Sequence, residues 1–174
     1  MSRTIKTILL ALIAALAAYV AWMKWKPAAQ PAEQVTGTTS AGPDFTGPSP
    51  FDGLGLRYDG YYKSNRGSIF YLVRFFPEGR AVLINGMKDM EKQLPLFLTR
   101  DTQGNPDMGL YNIMADVRGD SIFFTTKPLK GEIDYSGKLM DPGMLRLHRH
   151  SHINGMQYDM EYRFMQDSTA TSVE

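Results

Sequence analysis

The Asn154-Gly155 pair inside Gly143–Met165 constrains this chain more than any other feature. It stands between two alternating runs, LRLHRHSHI and MQYDMEYRF, and so predicts a β-hairpin with a two-residue turn. With that loop, Ile153 faces Met156, Ser151 faces Tyr158, Arg149 faces Met160, Leu147 faces Tyr162 and Leu145 faces Phe164. One face of the hairpin is then apolar apart from an arginine and a serine. The other face pairs His152 with Gln157, His150 with Asp159 and His148 with Glu161, because successive strand residues point to opposite sides. A single hairpin thus fixes an inside and an outside, and the three histidines fall outside.

Short alternating segments with turn residues between them begin at Phe51. Strands are predicted over residues 56–62, 69–76, 80–84, 110–117, 121–126 and 132–139, ahead of the two arms of the hairpin. Pro77-Glu78-Gly79 and Arg118-Gly119-Asp120 read as tight connections. Eight sequential antiparallel strands with little else to cover them are best satisfied by closing on themselves. The expected fold is therefore all-β, an eight-stranded antiparallel up-and-down barrel with one short helical segment. That segment lies in the long connection 85–107. Asp89 is a candidate N-cap, Met90, Leu94, Phe97 and Leu98 have helical spacing, and Pro95 splits the stretch into two short turns. It is expected as a plug or lid over one barrel end, or as packing at the barrel bottom.

The extras precede the barrel. Residues 7–23, TILLALIAALAAYVAWM, form an apolar run between Lys6 and Lys24, roughly 25 Å long as a helix and extended by Trp22 and Trp25 at one end. Residues 1–26 are expected as a membrane anchor, a cleaved signal peptide being the alternative. Five of the ten prolines fall in residues 27–50, which read as a flexible linker. The barrel domain takes residues 51–167 and a disordered tail residues 168–174. The expected address is the cytoplasmic membrane, single-pass, with the barrel in the periplasm or extracytoplasmic space. Residues 1–26 carry four basic residues and no acid, leaving 15 basic against 18 acidic in the remainder, so nothing suggests a nucleic-acid surface. The absence of cysteine removes disulfides, thiolate metal sites and cysteine nucleophiles.

Tyr58-Asp59-Gly60-Tyr61-Tyr62, Val73 to Gly79 (VRFFPEG), Gly131 to Gly137 (GEIDYSG) and the hairpin ending Tyr162-Arg163-Phe164 resemble small lipocalin-like, calycin-type β-barrel domains of uncharacterised bacterial envelope proteins. The resemblance covers about residues 54–166. It implies an up-and-down barrel whose interior is able to take a small apolar ligand, and it implies no catalytic residues.

Arg149 is the strongest candidate site residue. It points inward, where a guanidinium needs a partner. Either it anchors a ligand carboxylate or phosphate, or it is a structural arginine satisfied by tyrosine hydroxyls, carbonyls or Asp116. Ser151, Tyr158, Met160 and Tyr162 would complete such a ligand-binding set. His148, His150 and His152 share a face with Asp159 and Glu161, but the outer two histidines lie roughly 13 Å apart. Weak Zn²⁺ binding and no physiological metal are expected. The methionines of the domain are expected mainly to fill the core. Glu132, Asp134, Asp159 and Glu161 point outward, no Ser-His-acid set or phosphate loop exists, and no catalytic residue or cofactor is expected. Two functions follow: a tethered non-catalytic interaction or assembly module contacting an envelope protein, or a barrel that binds a small apolar or anionic amphipathic ligand.

Overall fold

Residues 69–84 contain two strands in which apolar side chains occupy both faces, and this shapes the whole domain. In the computed structural model, which describes residues 45–167, β2 (Ile69–Phe76) and β3 (Arg80–Met87) pair across a tight turn at Gly79. Val73, Phe75, Ala81 and Leu83 enter one core while Leu72, Val82 and Ile84 enter another. The full set adds β1 (Gly60–Arg66), β4 (Leu110–Met114), β5 (Asp116–Arg118), β6 (Ser121–Thr126), β7 (Ile133–Asp141), β8 (Met144–Ser151) and β9 (Gln157–Gln166). All pairs are antiparallel, in the order β4-β3-β2-β1-β9-β8-β7-β6-β5. The result is a nearly closed β-barrel, compatible with a calycin-like fold.

The strand count is nine rather than eight because the predicted strand 110–117 divides at Ala115. Its first half pairs with β3 and its second half with β6. One segment therefore closes the barrel at the end where β5 meets β6 and leaves a seam between β4 and β6 at the other. The first strand starts at Gly60, four residues later than expected. The residues before it are occupied otherwise: Leu56 is buried in the core, and the Arg57 backbone N–H donates to the Tyr62 hydroxyl at 3.1 Å. Phe51, 1% exposed, sets its ring edge-on against Phe75 at the same end of the barrel. Residues 49–58 thus plug the barrel bottom.

The connection 88–109 has the predicted short turns, Lys88–Met90 and Leu94–Phe97, with Pro95 early in the second. It does not cap a barrel end. Leu94 and Leu98 pack on Leu72, Val82, Ile84 and Leu110, covering the outer face of β2 and β3. A sheet buried on both faces must have both faces covered, and the apolar outer face of these strands is what this segment covers.

The organising hairpin is longer-looped than expected. Ser151 N–H donates to the Met156 carbonyl at 2.9 Å and Gly155 N–H to the Ser151 carbonyl at 2.8 Å, so residues 152–155 form a four-residue loop. Gly155 takes φ +68°, but Asn154 is not left-handed, whereas the two-residue turn needs both positions so. Asn154 instead caps the loop by accepting the Met156 N–H at 3.2 Å. Pairing shifts by two: Arg149 faces Tyr158, Leu147 faces Met160, Leu145 faces Tyr162 and His148 faces Asp159. An even shift leaves the side chains of the two strands on their predicted faces, while Ile153 and Met156, expected inside, fall outside the strands and are exposed. Leu145, Leu147, Met160, Tyr162, Tyr135 and Ile133 are buried as expected.

The methionines correct the sequence reading. Among the described residues only Met160 is a buried methionine, while Met87, Met90, Met108, Met114, Met140, Met156 and Met165 are exposed, most of them at strand ends and turns. The anchor or signal at 1–26, the linker up to residue 44 and the tail 168–174 lie outside the described residues. Among the described residues no helix is long and apolar enough to cross a membrane.

Candidate functional site

The upper half of the barrel interior is polar where the lower half is aromatic. Tyr71 on β2, Tyr111 on β4, Tyr135 on β7, Tyr158 and Tyr162 on β9 line it, with Arg149 and Ser151 on β8 and Thr126 on β6. Arg149, Ser151, Tyr158, Met160 and Tyr162 all come from the inner face of the hairpin, as the alternation requires. Ser151 is 2% exposed and lies opposite Met156, not Tyr158; Arg149 lies opposite Tyr158, not Met160. The Tyr162 hydroxyl is directed at the Met160 sulfur, 3.6 Å away.

Arg149 is half-buried, with its guanidinium carbon 5.3 Å from the centre of the Tyr158 ring. Asp116, the acid considered for it, is exposed and holds Arg118 at 2.8 Å instead. The Arg149 Nε and the Thr126 Oγ1 are buried without a hydrogen-bond partner among the described residues. Burial works against the Arg149 charge, but the facing hydroxyls of Tyr135, Tyr158 and Tyr71 favour it, and its pKa moves up. Burial pushes the Tyr162 phenol well above its ordinary range. It also raises Tyr135, against the pull of Arg149, and takes Tyr71 up to about 12 with help from Tyr158. These phenols are neutral donors at physiological pH.

Space decides what such a pole can hold. The cavity among Tyr71, Leu83, Asn85, Tyr111, Tyr135 and Tyr162 measures about 10 Å³, enough for roughly one water. That pocket has no room for a ligand larger than water. The larger space, about 280 Å³, is the seam, lined by Leu110, Tyr111, Asn112 and Ile113 on β4, Thr125 and Lys127 on the β6 side, and Gly104 and Pro106 above. Tyr111 belongs to both and forms the wall between them. Leu110 exchanges backbone hydrogen bonds with Asn105 at 2.8 and 3.0 Å on the strand edge away from β3. By antiparallel alternation the next backbone groups on that edge belong to Asn112. The Asn112 side chain is fixed by donating to the Thr102 carbonyl at 2.6 Å and accepting from Arg80 at 2.7 Å. Nothing in the strand pattern pointed to this seam, because residues 110–117 read as one uninterrupted strand.

The outer histidines divide between two acids. His148 meets Asp159 at 2.8 Å on β9, and His152 meets Asp134 at 2.6 Å on β7. The expected pairing of His150 with Asp159 is displaced by the register shift, and Asp134 lies opposite His150. No family model, curated protein or solved structure matches the chain.

Proposed function

We propose that this chain is a membrane-tethered, extracytoplasmic, non-catalytic interaction module, and that its docking surface is the seam between β4 and β6. The observation that carries the reading is the contrast between about 10 Å³ inside the barrel and about 280 Å³ at the seam. A filled barrel leaves its surface to do the binding. The β4 edge beyond the Asn105–Leu110 pair, with Leu110 and Ile113 beside it and Lys127 at the mouth, suits an extended segment of a partner protein, which would gain main-chain hydrogen bonds by strand addition. Exposed methionines, adaptable in shape, fit a contacting surface better than a carrier. The apolar run at residues 7–23 and the linker behind it would hold the module near the membrane.

Photo-crosslinking of the full chain in its own cells tests this. Lys127, 77% exposed at the seam mouth, and Arg163, outward on β9 across the barrel, are replaced one at a time by benzoylphenylalanine. The seam reading expects one discrete protein adduct from position 127 and none from position 163. Equal labelling from both positions, or none from 127, would overturn it.

A second reading has one observation in its favour. The unpartnered Arg149 Nε and the shared wall Tyr111 would let the head group of a small anionic amphiphile reach Arg149, with its tail in the seam. The interior as it stands, about 10 Å³ among the tyrosines, has no room for that head group.

A further inference from the structure

The end of β8 and the loop after it bring two imidazoles to one carboxylate. His150 is on the outer side of β8 and His152 is the first residue of the loop that follows it, and their ring centres lie 4.3 Å apart. Asp134 on β7 is the cross-strand neighbour of His150, and its Oδ2 is 2.6 Å from His152 Nε2. One ligand atom from each of the three lies within 4.8 Å of the other two. We propose that Asp134, His150 and His152 form a surface site for one divalent transition-metal ion of the zinc and copper class.

Each ligand is held by the fold. Thr125 on β6 donates to Asp134 Oδ1 at 2.6 Å, which fixes the carboxylate and leaves Oδ2 toward the histidines. Such an outer hydrogen bond orients a metal-ligating carboxylate in the way that metal sites commonly use. His152 is placed by its own backbone, whose N–H donates to the Glu132 carbonyl at 3.0 Å, and its exposed side chain is tied only to Asp134, itself a member of the set. An ion about 2.0–2.2 Å from each donor needs the donors roughly 3–4 Å apart, so closing the set asks for rotation of the exposed imidazole and not of the sheet. Imidazole with one carboxylate selects zinc or copper over calcium or magnesium, which favour all-oxygen sets. His148 is not part of the set: Asp159 holds it on the other flank. Glu132 is likewise engaged, by Lys127 at 3.1 Å. Three protein ligands on one side leave the remaining positions to water or to a donor from outside the chain.

The test is calorimetric titration of the full, tag-free chain with Zn²⁺ alone, repeated on His150→Ala, His152→Ala, Asp134→Asn and His148→Ala, each checked for native circular dichroism. The site predicts one Zn²⁺ per chain at micromolar affinity. Affinity should fall at least tenfold in each of the first three variants and stay unchanged in the fourth. Co²⁺ should broaden amide resonances only around residues 125, 134 and 150–152. Binding only in the millimolar range, or equal loss in His148→Ala, would overturn the proposal in favour of a diffuse charged face.

Discussion

Arg149 carries a charge half out of water with no carboxylate beside it among the described residues, and its replacement separates structure from recognition. Its guanidinium is held by tyrosine hydroxyls and the Tyr158 ring, interactions that offset its burial, so an apolar side chain of similar length can replace it at little cost. Arg149→Met is expected to leave urea stability unchanged or raised by about 1 kcal/mol. A loss of several kcal/mol would identify the guanidinium as a structural tie among the tyrosines. The tyrosines themselves set an alkaline limit. The Tyr71 phenol has an ordinary pKa near 10 when unfolded and about 12 when folded, with burial as the main cause and Tyr158 adding to it. The folded state therefore keeps a proton that the unfolded chain releases. The stabilising contribution is complete below about pH 10 and disappears as pH rises through about 12. Tyr135 and Tyr162 add in the same direction. Phenolate absorbance followed against circular dichroism should show the interior tyrosines ionising only as the barrel unfolds; ionisation well before unfolding would contradict their burial. Gly137 is a third residue-scale test, because an added Cβ would run into the Arg146 carbonyl and the Leu147 backbone on β8. Gly137→Ala is expected to cost about 3 kcal/mol in a denaturation midpoint analysis, as overpacking against main chain does.

The connection 88–109 behaves as a cover for β2 and β3. Leu94 is fully buried in the outer core, against Leu72, Val82 and Ile84. Leu94→Ala is expected to cost about 3 kcal/mol and to speed amide exchange across residues 88–109 while β5 to β9 keep their protection. Uniform loss of protection would show instead that the cover and the barrel fold as one. The doubled apolar character of IFYLVRFF and RAVLI marks strands that need covering on both sides, a signal that the reading of the connection as a plug at a barrel end did not use, and alternation alone does not say which segment supplies the cover. The face of each strand was legible for the same reason that the register was not. A shift of two keeps His148, His150 and His152 outside and Arg149, Met160 and Tyr162 inside, so the side-chain pattern fits a two-residue and a four-residue loop equally. Local turn chemistry decides between them, and Asn154, whose φ is not positive, takes the longer loop. The division at Ala115 left no mark in LYNIMADV, since each half reads as strand whichever neighbour it pairs with. The seam was invisible on that account. Asp134 entered the histidine face through the same register, which no local pattern specifies.

At the scale of the molecule, the aromatic plug of Phe51 on Phe75, the packed middle of Tyr62, Leu145, Leu147 and Tyr162, and the tyrosine pole around Arg149 fill the barrel from end to end. An eight- or nine-stranded barrel is just wide enough for side chains to do this. The available surfaces are then the seam and the outer wall, and the function proposed for the chain rests on the interior being occupied by its own side chains. Native mass spectrometry of the full chain, purified without denaturation and combined with organic extraction, tests that most directly. The account predicts the bare polypeptide mass, for the wild type and for Arg149→Met alike, including after incubation with envelope lipids. A stoichiometric lipid-sized adduct that Arg149→Met removes would contradict it and make the barrel a carrier.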